Sequence, residues 1–260
     1  MQQTQQIQIA RYANRLVPRI RKSCFEPEAT RFLKKYCPEA LVTPMAVPIE
    51  HIITEKMGLT IRQARLTEDF SVFAQICFTS GVAEIYDKES DGYEEILVKA
   101  GTIIIDPDTL KRRNLGCMNN TLAHESVHWE KHRQYHEFLS QYSNFHCSAV
   151  PNETQQSNWT DEDWMEWQAN GIAPRILMPI QTIRTAFHTF CEQYDFYRKN
   201  PDTSNESDIN EVFKISSVRL TQKFEWVRQQ TAALYKVSKQ SAGIRFEELK
   251  LVPKGTFDRA

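Results

Sequence analysis

The residues best placed to do chemistry stand together at His124-Glu125-Ser126-Val127-His128, an HExxH motif inside a run of helix-forming residues. Residues four apart share one face of a helix, with Cβ atoms about 5–6 Å apart, so both imidazoles can reach one metal ion. Glu125 leaves the same turn from the neighbouring edge. It is too close to His124 to be a convenient ligand and well placed to hold a water on that metal. This division of labour is hydrolytic, and it needs one Zn2+ ion with an open coordination position. Glu125 would orient the water, take its proton during attack on a peptide carbonyl and pass that proton to the leaving amine. Leu122, Ala123 and Val127 give the helix an apolar face, and Asn119, Asn120 or Thr121 is expected to cap its start.

A third protein ligand must come from elsewhere. His132 and His136 continue the fourfold spacing, but each helical turn rises about 5.4 Å, so His132 lies too far along the axis to close the same tetrahedron. Both are expected at the surface or supporting the ligands. The extended pattern HExxHxxGxxH is excluded, because Lys131 and Gln134 stand where it needs glycine and histidine. Downstream, Thr160 or Asp161 is a good N-cap for a second helix running towards Met178, before Pro179. Glu166 is the expected inward carboxylate of that helix. Glu162, one turn earlier, and Asp163 beside it remain open on spacing alone.

Read together, Thr121-Leu122-Ala123-His124-Glu125-Ser126-Val127-His128 and Glu166-Trp167-Gln168-Ala169-Asn170, continuing to Leu177-Met178-Pro179, resemble the ImmA/IrrE family of metallopeptidases. That family pairs an AHExxH helix with a later ExxAN helix. The likeness extends upstream through Val47-Pro48-Ile49-Glu50, a helix to Met57-Gly58, the strand from Leu59 to Leu66 and the apolar strand Gly101 to Asp106. It therefore covers roughly residues 46 to 180. The resemblance implies His124 and His128 as zinc ligands, Glu166 as the third, gluzincin-type ligand, and Glu125 as the catalytic glutamate. It further implies a zinc endopeptidase that cuts a helix-turn-helix transcriptional repressor, releasing genes of a mobile element or a stress response. Two departures avoid the ligands: Ser126-Val127 replaces a common Leu-Gly pair, and Gly171-Ile172 stands where relatives carry a bulky residue and Phe. Gly171 either permits close helix packing or marks a kink.

The fold class expected is α+β: a zincin-like metallopeptidase with a small, mostly antiparallel sheet beside the HExxH helix, plus flanking helical segments. Strands are read at Leu59 to Leu66, Ser71 to Phe78, Val82 to Tyr86 and Ile96 to Ile105, with Thr79-Ser80-Gly81 as a hairpin turn. An edge strand there would suit an extended peptide. Residues 1–45 read as a helical segment, 46–180 as the metallopeptidase domain and 181–260 as a helical region. Within the last, about 221–251 resemble a helix-turn-helix, with Val237 in the turn, Ser238 as cap and Ile244, Phe246 and Leu249 packing inward. Lys236 occupies the turn position where glycine is preferred, and Gly243 weakens the second helix. Residues 143–160 read as a cover over the site, and Asn200 to Ser207 as a linker.

Composition bounds the rest. A chain of 260 residues with 41% hydrophobic and 25% charged residues and a net charge of -1 describes an ordinary globular protein. No apolar run approaches the roughly 18 residues of a membrane span, and the Gln-rich start lacks a signal peptide's apolar segment, so a cytoplasmic protein without membrane contact is expected. Six cysteines without a CxxC pair fit reduced thiols, and Cys117 reads as an inert buried thiol. Basic residues gather at both ends of the chain and acidic ones in the middle, which leaves direct nucleic-acid binding a minor reading beside a protein substrate. Tyr86, Tyr93 or His146 could donate to an oxyanion. The competing function is a DNA- or protein-binding regulator that keeps the protease fold with little turnover; an intact Glu125 argues against it, since a binding module needs no proton shuttle.

Overall fold

A computed structural model describes residues 12–109, 114–141, 159–199 and 219–257. They belong to two units: Met1–Ala29 with Pro48–Arg175, and Thr30–Val47 with Ile176–Ala260. The chain is α+β.

In the first unit, Thr102-Ile103-Ile104-Ile105 has every side chain buried, and this run forms strand β5 (Thr102–Ile105) at the centre of a three-stranded sheet. An unbroken apolar run is what a strand covered on both faces requires. Each buried isoleucine contributes about 1.5–3 kcal/mol. β1 (Thr60–Gln63) pairs with β5 in parallel and β2 (Ala74–Cys77) pairs with it antiparallel, leaving β2 at one edge. β3 (Gly81–Asp87) and β4 (Gly92–Val98) form a separate antiparallel hairpin.

Three features of the sheet differ from expectation. Instead of one mostly antiparallel sheet there is a mixed sheet and a hairpin, and the single strand expected over Ile96 to Ile105 is two. The break is at Gly101, whose φ of +82° turns the chain, while Leu59 and Trp129 crowd to 3.0 and 3.4 Å of where a β-carbon would stand. Thr79-Ser80-Gly81 joins no hairpin either, because β2 pairs with β5 and not with β3. The hairpin turn falls at residues 88–91, where the Asp87 carboxylate accepts the Ser90 and Glu89 amides at 3.0 and 3.2 Å.

Helix α1 (Phe25–Tyr36) buries Phe25, Ala29, Phe32, Leu33 and Tyr36 at helical spacing, with Glu26 and Glu28 in its first turn and Lys34 and Lys35 in its last, charges that suit the helix dipole. Helix α2 (Leu115–Ser140) carries the HExxH motif and packs against edge strand β2. It begins earlier than expected. Asn114, not Asn119, Asn120 or Thr121, is the cap, its side chain accepting the Cys117 amide at 2.8 Å. Helix α3 (Asp161–Leu177) opens with a reciprocal cap, in which the Asp163 amide donates to the Thr160 hydroxyl at 3.1 Å and the Asp163 carboxylate accepts the Thr160 amide at 2.8 Å. Gly171 answers the question its presence raised: a β-carbon there would lie 2.0 Å from the Phe25 ring, so the glycine admits that ring against α3. Phe25 in turn meets Trp167 at 4.7 Å between centroids.

In the second unit, α4 (Ile180–Lys199), α5 (Arg219–Tyr235) and α6 (Lys239–Glu248) pack through Phe187, which meets Phe224 at 6.2 Å and Phe246 at 4.9 Å. The α5–α6 connection has a helix-turn-helix local form: Lys236 has φ of +51°, Val237 is buried, and the Ser238 hydroxyl accepts the Ser241 amide at 3.0 Å. Phe246 and Leu249 pack inward, but Ile244 is 55% exposed, a correction to its expected place. Gly243 sits where a β-carbon would press on Phe257 at 2.9 Å, so its small size serves packing. Arg245 is turned inward, its Nε donating to the Met178 carbonyl at 3.2 Å, and the open face of α6 mixes Lys239 with Glu248. That face carries no basic stripe of the kind that grips phosphates. Among the described residues, no helix is long and apolar enough to cross a membrane. The proposed linker 200–207, and residues 143–158 of the proposed cover, lie outside the described residues.

Candidate metal centre

Helix α2 presents His124 and His128 one turn apart, and α3 brings Glu166 across from them. The two Nε2 atoms are 2.9 Å apart, His124 Nε2 lies 3.2 Å from Glu166 Oε2, and His128 Nε2 lies 3.1 Å from Glu166 Oε1. Tetrahedral zinc bonds of about 2.0–2.1 Å would separate neighbouring donor atoms by about 3.3–3.4 Å, so the triangle is nearly the size one ion demands. Two imidazoles and a carboxylate are also a donor set zinc accepts. These three residues could hold a metal ion. They open onto a cleft of ≈ 370 Å³ walled by β2, α2 and α3.

The rival carboxylates have other work. Glu162 accepts the Tyr135 hydroxyl at 3.0 Å, and Asp163 caps its own helix. Cys117, expected to be buried, is partly exposed and lines the cleft. Tyr86 donates to Asp91 at 2.5 Å within the hairpin, which pushes its hydroxyl up to about 12, and Tyr93 is 53% exposed on the adjoining strand; neither lines the cleft. His146 lies outside the described residues.

Several partners of the site carried no mark in the sequence. Phe73 C=O accepts the Asp106 amide at 2.9 Å, and in an antiparallel ladder this alternation turns the polar groups of Ala74 and Ile76 away from β5, towards the cleft. The Ile76 amide donates to the Glu125 carboxylate. Asn170, one turn beyond Glu166, hydrogen-bonds His124. His132 is fully buried and hydrogen-bonded, its Nδ1 3.1 Å from His128 Nδ1 and its Nε2 3.2 Å from Gln168 Oε1, so it stands behind His128 and is not a surface residue. His136 stacks on Phe78 with centroids 4.0 Å apart and planes 5° from parallel, lining the cleft.

Charge is distributed unevenly over the site. Burial pushes the Glu125 carboxyl up, against the attraction of His124 and His128, which makes it a better proton acceptor near neutral pH. Burial also opposes the charge on Glu166, but hydrogen bonds from both histidines overcome it and hold that carboxyl far below the usual range. Burial opposes charge on His124 as well, yet Glu166, Glu125 and Asn170 together raise it. His132 and His136 are pushed the other way, chiefly by burial and then by His128, with His136 reaching about 4. No family model, curated protein or solved structure matches the chain.

Proposed function

We propose that this chain is a zinc-dependent endopeptidase of the ImmA/IrrE type, with a zincin-like catalytic unit. One observation carries the reading: His124, His128 and Glu166 converge on one point while the buried Glu125 faces the same cleft beside β2, which among the described residues pairs on one side only. When bound, a zinc ion supplies a Lewis acid that polarises the scissile carbonyl and brings the pKa of a water down to about 7. Glu125 accepts a proton from the attacking water and returns it to the leaving amine. The outward amide and carbonyl of Ala74 pair with the backbone of an extended peptide, adding it as a strand to β2 and holding its carbonyl over the histidines. This main-chain grip is indifferent to sequence, so the side-chain preference arises from the cleft wall, where Phe78, His136 and Met165 offer apolar and aromatic contact.

The resemblance supplies the substrate class: a DNA-binding helix-turn-helix repressor, whose cleavage would release genes of a mobile element or a stress response. The test is to incubate the zinc-loaded chain with the repressor encoded beside its gene and with an unstructured peptide library, reading new termini by mass spectrometry. Cleavage by wild type and not by Glu125→Gln supports the reading. Identical termini from both proteins, or none from either, reject it.

A further inference from the structure

The hydrogen-bond chain behind His128 ends on a group whose role in it is fixed. Gln168 Nε2 donates to the Pro18 carbonyl at 2.6 Å, and a carbonyl only accepts, so the amide must keep its nitrogen on that side. Gln168 Oε1 therefore faces His132 Nε2, 3.2 Å away, which must carry a hydrogen to bond it. Gln168 and His132 are both fully buried, so bulk water offers neither an alternative partner. A neutral His132 with its hydrogen on Nε2 has a bare Nδ1 that can only accept. Its neighbour at 3.1 Å is His128 Nδ1, which must then be the donor. That leaves Nε2 of His128, 3.1 Å from Glu166 and 2.9 Å from His124 Nε2, as the ring atom that faces the metal position.

We propose that Gln168 is a positioning residue for the metal centre, which through His132 keeps a hydrogen on His128 Nδ1 and so turns Nε2 to the metal. Free imidazole is shared between two tautomers, and only one of them is ready to bind here. Gln168 selects it from the far side of α2, using the Pro18 carbonyl as its fixed point. Partners of this kind behind a ligating histidine are worth about 10–100-fold in metal affinity. The inference rests on the metal reading above but makes a separate claim about hydrogen position.

The experiment has two arms. Long-range ¹H–¹⁵N correlation spectra of the metal-free chain near neutral pH report the tautomer of each imidazole. His128 is expected with hydrogen on Nδ1 in wild type and as a mixture in Gln168→Leu. In the second arm, zinc affinity is measured by competition with a chromophoric chelator for wild type, Gln168→Leu, His132→Phe and the double variant. Gln168→Leu should weaken binding about 10–100-fold, while the same change made on top of His132→Phe should add less than about twofold, because its route to the metal is already cut. Should Gln168→Leu fail to fold, Gln168→Met makes the same test. His128 found without hydrogen on Nδ1 in wild type, or unchanged zinc affinity in the folded variant, overturns the proposal. Failure of the metal reading looks different: wild type then binds zinc no better than His124→Ala, whatever the spectra show.

Discussion

Four histidines stand on one stripe of α2 at equal spacing, yet its two halves have opposite characters. His124 and His128 face a carboxylate, Glu166, which raises the first and draws both towards one point. His132 and His136 face an amide and an aromatic ring, Gln168 and Phe78, and burial holds both neutral. The spacing is the same, so it is not what makes a ligand. What decides is the residue that the crossing element sets opposite each turn: residues 166 and 170 of α3 meet the first half, and 168 meets the second.

The largest effect that would sharpen this contrast is on metal binding itself. Glu166→Ala should weaken zinc binding by more than about 100-fold, beyond what a residue one layer behind the ligands commands, while His136→Phe should leave it unchanged. Equal losses measured by chelator competition would erase the difference between the two halves. Next, Glu125→Gln should lower peptide turnover by about 10²–10⁴-fold with zinc affinity nearly constant, separating the proton acceptor from the ligands that flank it. A Gly171→Ala change tests how α3 is held in place, since its new methyl meets the Phe25 ring. Overpacking of this kind costs about 1–3 kcal/mol, so urea unfolding should move by that amount, with part recovered on adding Phe25→Leu.

Acid should probe the second half on its own. His136 titrates at about 4 when folded against 6.5 for the ordinary side chain, so between these values the unfolded chain binds the extra proton. The stabilisation from keeping His136 neutral is therefore complete above about pH 6.5 and is lost as pH falls towards 4. The limit is on the order of 3 kcal/mol. His132, shifted the same way, adds to it. Melting temperatures of the metal-free chain across this window should fall less steeply for His136→Phe than for wild type; parallel slopes would contradict the burial argument. Smallest is Ser238→Ala in the second unit, which removes the cap of α6 for about 1 kcal/mol and should not alter zinc affinity at all.

The motif residues and the order of helices were legible because they depend on local spacing. Glu166 stood out from Glu162 and Asp163 only through family resemblance; the structure shows why the other two are spent, one on Tyr135 and one on a cap. Sheet topology was not legible. The parallel pairing of β1 with β5 is a long-range choice that no local pattern encodes, and the left-handed turn at Gly101 was hidden in what read as one apolar run. Ile244 was misplaced because apolar character on a short helix was equated with an inward face. The supporting partners, Gln168, Asn170 and the Ile76 amide, were invisible for a different reason: each acts through a contact across elements, and the last has no side-chain identity to read.

That Ile76 contact ties Glu125, the proposed proton acceptor, to the pairing of a sheet. Because alternate amides of a strand point to opposite sides, a slip of β2 by a single residue would swing this N–H inwards and leave Glu125 without its anchor. Residues that hold β2 in phase with β5, such as the facing pair Ile76 and Ile103, thus set the surroundings of the Glu125 carboxylate from the sheet interior.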